Sequence, residues 1–138
     1  MQTIDWNLLA EQAEQAATQA YAPYSRFPVG VAILASSGRI YTGCNVENAA
    51  YPLGQCAEAS AIGAMIVAGA DEITDIVVVG PDHKLCTPCG GCRQKLWEFG
   101  ANAIVHLCVD GRIEQQLALA ELLPAAFGPH NIPQEVSS

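Results

Sequence analysis

Two short stretches carry the residues best suited to chemistry, GQCAEAS at 54–60 and CTPCGGCRQ at 86–94. Cys89 and Cys92 are spaced C-x-x-C. Residues three apart share a helical face, so both sulfurs can reach one ion. Cys56 stands where an alanine-rich helical run begins. Two helix N-termini would aim their positive dipoles at these sulfurs and favour thiolates. Three thiolates suit a borderline-soft ion, zinc above all, one per chain. Glu58 falls less than one turn into the helix that follows Cys56, placed toward an open fourth ligand position. A metal with three protein ligands and one open position lowers the pKa of a bound water. An adjacent carboxylate that is not a ligand can then move that water's proton to a substrate. The chemistry is hydrolytic.

Two other readings of the cysteines compete with this one. Cys86 could join Cys56, Cys89 and Cys92 in a closed four-thiolate site, a structural zinc module that binds a protein partner. That reading has no use for Glu58, and Cys86 follows the apolar Leu85 in what reads as a packed loop. A redox C-x-x-C fits less well, because the βαβ context is missing and a third candidate ligand is present.

The elements that must position these groups follow from periodicity and turn chemistry. Residues 5–21 read as a helix with Asp5 as N-cap and Leu9, Ala13, Ala16, Ala17 and Ala20 as its apolar stripe. Two strands, 29–35 and 39–44, form a hairpin across Ser36-Ser37-Gly38. The segment 44–55 is a loop, too long to be well ordered alone. Residues 57–69 form an apolar helix closed by Gly69, and 75–80 a buried strand. A helix runs from near Cys89 to Phe99, ended by Gly100. A strand at 103–109, a turn at Asp110-Gly111, a brief strand at 112–116 and a helix over 117–124 follow. The tail, 129–138, reads as loosely ordered. The expected architecture is a single domain over 1–138, an α/β fold of three layers, α/β/α, around a mixed five-stranded sheet.

Composition narrows the partners. The chain has 138 residues and a formal charge of -8, with six Lys and Arg in all. A nucleic-acid backbone rewards basic clusters, so nucleic acid is excluded and a small neutral substrate is favoured. No apolar run approaches the roughly 18 residues needed to span a bilayer, so no membrane partner is expected. The acidic, amphipathic start is unlike a signal peptide, which points to the cytoplasm. Six cysteines in a reducing compartment suit metal or catalysis better than disulfides.

The paired motif reads Cys56-Ala57-Glu58 and Pro88-Cys89-Gly90-Gly91-Cys92. It follows the H-x-E, P-C-x-x-C pattern of zinc deaminases with Cys in place of His. Together with YAPYSRFPVGVA (21–32), GCNVENAAY (43–51), TPCGGCRQ (87–94) and ELLPAAFGP (121–129), it makes nearly the whole chain resemble the small homotetrameric cytidine deaminases of the three-cysteine type. The resemblance implies zinc on Cys56, Cys89 and Cys92, with Glu58 as proton shuttle. It implies that Phe27 packs on the pyrimidine, that Asn45 and Glu47 hold the ribose hydroxyls, and that Ala57 lines the substrate site. Ala49, Tyr51 and Phe127 match positions that enter sites shared between subunits of a homotetramer. The implied reaction is deamination of cytidine and deoxycytidine to uridine and deoxyuridine, in pyrimidine salvage.

Residue chemistry is compatible with these roles, since an amide and a carboxylate suit hydroxyls and an aromatic face suits a base. Each residue also has a plainer reading: Phe27 as core, Tyr51 as a loop anchor, Asn45 as a turn residue. A sibling activity on a nucleoside antibiotic such as blasticidin S is disfavoured by the ribose-type motif NVEN with Phe27. Ala59 departs from the pattern, because many three-cysteine relatives carry arginine there to offset thiolate charge. The helix N-termini and Arg93 are the remaining compensators. His83, His106 and His130 read as surface or strand residues without a role.

Overall fold

A computed structural model describes residues 3–133. Helix α1 (Trp6–Thr18) is followed by strands β1 (Gly30–Ala35) and β2 (Ile40–Cys44). Helix α2 (Ala57–Val67), β3 (Ile73–Val79) and α3 (Gly90–Phe99) come next. Strands β4 (Ile104–Val109) and β5 (Arg112–Ala118) and the one-turn α4 (Leu119–Leu122) complete the fold. The sheet order is β2-β1-β3-β4-β5. β1 is antiparallel to both β2 and β3, β3 is parallel to β4, and β5 is antiparallel to β4. Hence β2, β3 and β4 run in one direction. α2 carries the chain over β1 from β2 to β3, and α3 carries it from β3 to β4. The mixed five-stranded sheet expected from the sequence is present.

Period-two alternation splits each central strand between two cores. Ala32, Leu34, Val77, Val79 and Cys108 meet Leu9, Ala10 and Ala13 of α1 on one face. Val31, Ile33, Ile76, Val78, Val105 and Leu107 meet Ala57, Ala61 and Met65 of α2 and Leu96 of α3 on the other. β1 and β3 are therefore buried on both sides, which is why they read as continuous apolar runs. Within the α1 face, His106 and Asp75 are both buried, and their side chains bond at 2.8 Å. Gln116 meets the other ring nitrogen at 3.1 Å, and Trp6 packs on the ring. His106 is thus a strand residue whose two nitrogens are satisfied.

Close backbone approach sets the depth of α2. A Cβ on Gly43 of β2 would meet the Ala57 carbonyl and the Ala61 nitrogen, each at 2.4 Å. Glycine lets the first turns of α2 lie directly on β2, which brings Cys56 and Glu58 to the sheet. At the far end the Gly69 and Ala70 N–H groups donate to the Ile66 and Met65 carbonyls, with Gly69 at φ +93°, a glycine-closed helix end.

The sequence reading and the structure part most where a long-range partner takes the backbone. α1 stops at Thr18 rather than 21, since Tyr21 pairs with Val46; its N–H donates to the Asn45 carbonyl at 3.0 Å. The last helix is one turn rather than residues 117–124. Leu117 and Ala118 extend β5 by pairing with Val105 and Ile104, and Pro124 lacks the N–H needed to continue. The 44–55 loop is organised within the single chain, where Val46 and Gln55 exchange two backbone bonds of 2.8 Å and Tyr51–Leu53 forms a 3-10 turn. A second 3-10 turn, Pro129–Asn131, lies in the expected tail, and residues 134–138 of that tail fall outside the described residues.

Candidate metal centre and substrate pocket

Cys56 is the N-cap of α2 and Cys89 the N-cap of α3, both in extended conformation with no side-chain capping bond, so both sulfurs are free to face a common point. Cys92 lies in the first turn of α3 and is buried. The three sulfurs all lie within 4.8 Å of one another, and Cys86 is not part of the group. A tetrahedral zinc with bonds of about 2.3 Å holds its sulfurs about 3.8 Å apart. The set fits one zinc per chain, with three protein ligands and the two helix dipoles aimed at it.

Titration chemistry agrees with a cation here. Burial pushes the Cys56 and Cys92 thiols up. Burial also opposes ionisation of Cys89, but bonds from the Cys92 backbone N–H and from the neighbouring thiols outweigh it and leave Cys89 below the usual range. Three crowded sulfurs ionise together only when a positive ion offsets their repulsion.

Glu58, in the first turn of α2, is 4% exposed. Burial raises its carboxyl, while its own backbone N–H, the Cys92 thiol and the charge of Lys95 pull the other way. A carboxyl raised in this manner can hold a proton nearer neutral pH and release it, as a shuttle must. It is a member of no metal-binding group among the described residues.

Glu58 and the three cysteines line a cavity of about 380 Å³ together with Ser25, Phe27, Val29, Asn45, Glu47, Ala57, Cys86 and Thr87. Small-molecule sites span about 300–1,000 Å³. The Asn45 amide ties the 27–29 segment: its nitrogen donates to the Phe27 carbonyl at 2.9 Å, and its oxygen accepts from the Val29 N–H at 2.8 Å. Glu47 accepts the Tyr24 and Ser25 N–H groups at 3.0 and 3.1 Å and the Ser25 hydroxyl. The Ser25 hydroxyl is also the main reason that the Glu47 carboxyl is held below the usual range. A carboxylate has about four acceptor positions, and an amide has two donors and two lone pairs. Each residue therefore keeps capacity for one more hydroxyl after bracing the loop.

Of the residues singled out from sequence, the cavity gathers Cys56, Cys89, Cys92, Glu58, Phe27, Asn45, Glu47 and Ala57. It does not include Ala49, Tyr51 or Phe127. Tyr51 is 74% exposed and lines a neighbouring hollow of about 300 Å³ with Tyr24, Ser25 and Glu47. Phe127 is half exposed at the end of the 123–128 segment. Ser25, Val29 and Thr87 were not marked by residue type; for Ser25 the available signal was its place two residues before Phe27. Arg93, expected to offset thiolate charge, donates to the backbone carbonyls of Pro88 at 2.8 Å and Leu122 at 3.1 Å.

Cys86 packs against Gly80, and its thiol, pushed up by burial, is directed to the Thr87 carbonyl. Cys86→Ser is expected to leave one zinc per chain and alter turnover by less than a few-fold, the scale of an exchanged hydrogen bond. Metal analysis checks it, and loss of the bound zinc would restore the four-thiolate centre.

The family model for the cytidine and deoxycytidylate deaminase zinc-binding region matches residues 5–108. The chain is 42% identical to a cytidine deaminase of Mycobacterium tuberculosis over 135 residues, 98% of each chain. It is 39% identical to one from Sporosarcina psychrophila over 131 residues, 94% of this chain and 96% of the relative. Crystal structures of cytidine deaminases from Mycobacterium tuberculosis and Burkholderia pseudomallei superpose with TM-scores of 0.80 and 0.84, at 42% and 39% identity. They cover 91% and 90% of this chain and 99% and 100% of their own. With the match running from α1 into β4, through the sulfur cluster and the carboxylate beside it, the chain belongs to the cytidine and deoxycytidylate deaminase family.

Proposed function

We propose that the protein is a zinc-dependent hydrolase that converts cytidine and deoxycytidine to uridine and deoxyuridine, with release of ammonia. The observation that carries this reading is the buried Glu58 beside a three-sulfur cluster, in a cavity that Phe27, Asn45 and Glu47 also line. When bound, zinc supplies a water activated for attack near neutral pH. Glu58 takes a proton from the water, protonates ring N3 as oxygen adds at C4, and hands the second proton to the amine as the C4–N bond breaks. Ala57, with no side chain beyond Cβ, leaves room for the ring in front of Glu58. Phe27 packs on the pyrimidine face, and Asn45 and Glu47 use their remaining capacity on ribose hydroxyls.

A substrate panel tests the class of ligand. Cytidine and deoxycytidine should be deaminated, whereas deoxycytidylate should react far more slowly, because Glu47 and a net charge of -8 oppose a phosphate. Blasticidin S should be a poor substrate, lacking the ribose hydroxyls. Preference for the nucleotide or for the antibiotic would contradict the assignment.

The active form in this reading is a homotetramer with sites shared between subunits. Tyr51, Leu53, Val67 and Phe127 are 74%, 70%, 90% and 56% exposed in the single chain. The outer face of α2, with Gly63, Ala64, Ile66 and Val67, is apolar and uncovered. Apolar surface of this kind marks association sites, and further copies of the chain would cover it while bringing Ala49, Tyr51 and Phe127 to neighbouring pockets. Sedimentation and activity should therefore fall together on dilution. Phe127→Ala should weaken substrate binding tenfold or more, with zinc retained, since one fully buried aromatic contributes about 1.5–3 kcal/mol. A fully active monomer would rule out shared sites. The six free cysteines support a reducing, cytoplasmic setting for an enzyme of nucleoside salvage.

A further inference from the structure

The segment from Leu123 to Gly128 has no regular secondary structure and receives a side-chain hydrogen bond from α3. Arg93 reaches the Leu122 carbonyl, one of the last carbonyls of α4 that has no intrahelical partner. The next residue, Gln94, donates from Nε2 to the Phe127 carbonyl at 2.7 Å. Gly128 then lies against the Trp97 ring, where a Cβ would meet Nε1 at 2.9 Å, and its N–H donates to Asn131 at 2.9 Å. Ala125 sits at φ +51°, a conformation that L residues rarely hold without support.

We propose that Gln94 is a positioning residue that sets the direction of the Phe127 ring. It stands two residues after the metal ligand Cys92 on one rigid helix, so the ring placed in a neighbouring pocket is indexed to its own subunit's metal helix. The amide donor fixes the Phe127 backbone, and the half-exposed ring projects from that fixed point. The inference rests on the reading of Phe127 as a shared-site residue, and it adds the group that holds it there.

Gln94→Glu keeps the size of the side chain and replaces the donor with a charge that repels the carbonyl. KM for cytidine should rise on the order of tenfold, the scale of one lost hydrogen bond plus repulsion, with kcat within about twofold and zinc per chain unchanged. Gln94→Met, which removes the donor without adding charge, should give a rise of roughly three- to tenfold and serves if the Glu variant fails to assemble. The decisive readout is the double variant with Phe127→Ala. If Gln94 acts through the ring, either Gln94 change should add nothing to the KM of Phe127→Ala. Independent, multiplying effects, or an unchanged KM in both Gln94 variants while Phe127→Ala raises it, would overturn the positioning role alone. An unchanged KM in Phe127→Ala would overturn the shared-site reading and this inference with it.

Discussion

Glu58→Gln should retain one zinc per chain, melt close to the parent, and lose cytidine turnover by on the order of 10²–10⁴ or more. That range corresponds to about 3–5 kcal/mol of transition-state stabilisation. The substitution is nearly isosteric, and Glu58 is 4% exposed, so a change of size would be felt and a change of chemistry isolates the proton. Glu58 is outside the ligand group, which consists of Cys56, Cys89 and Cys92, so the metal has no reason to leave. An amide cannot accept the water's proton or return one to N3 and the leaving amine. Parent-like turnover in a zinc-replete Glu58→Gln protein would remove the shuttle from the mechanism.

Cys89→Ala should behave in the opposite manner, losing metal, activity and stability together. Cys89 caps α3 and supplies one of three sulfurs, and the remaining pair offers no closed set for a tetrahedral ion. A ligand present at about a thousand times its Kd stabilises the folded state by about 4 kcal/mol, and a variant that cannot bind forfeits that linkage. The chain still has two apolar cores on its sheet, so it should fold and melt at lower temperature rather than fail outright. Zinc analysis and calorimetry on parent, chelated parent and variant check this. The chelated parent and Cys89→Ala should coincide, and a variant that keeps stoichiometric zinc would mean that Cys89 is not a ligand.

The metal cluster was legible in the sequence because its geometry is local. C-x-x-C at a helix start and C-x-E at another fix relative positions within one turn; Pro88 marks the start of the second helix, and Gly69 and Gly100 mark where the two helices end. What was not legible depends on partners far along the chain. Leu117 and Ala118 have the composition of a helix, yet pairing with Val105 and Ile104 draws them into β5. The 44–55 loop looked unsupported because Val46 finds Tyr21 on one side and Gln55 on the other, and no local pattern announces either bridge. Arg93 keeps its charge while donating to two carbonyls, that of Pro88, which precedes Cys89, and that of Leu122, 29 residues away, a partner that no local pattern announces. Phe27, Asn45 and Glu47 follow from the resemblance, and bonds between two loops explain how the chain gathers them: Asn45 and Glu47 brace the 24–29 segment with part of their bonding capacity and keep the rest.

The most direct test of the account is an ultraviolet assay of cytidine turnover by the zinc-replete protein, with ammonia measured in parallel. Cytidine absorbance should fall as uridine appears, one ammonia released for each uridine, and chelation should stop the reaction until zinc is restored. A properly assembled protein with one zinc per chain that turns over neither cytidine nor deoxycytidine would contradict it.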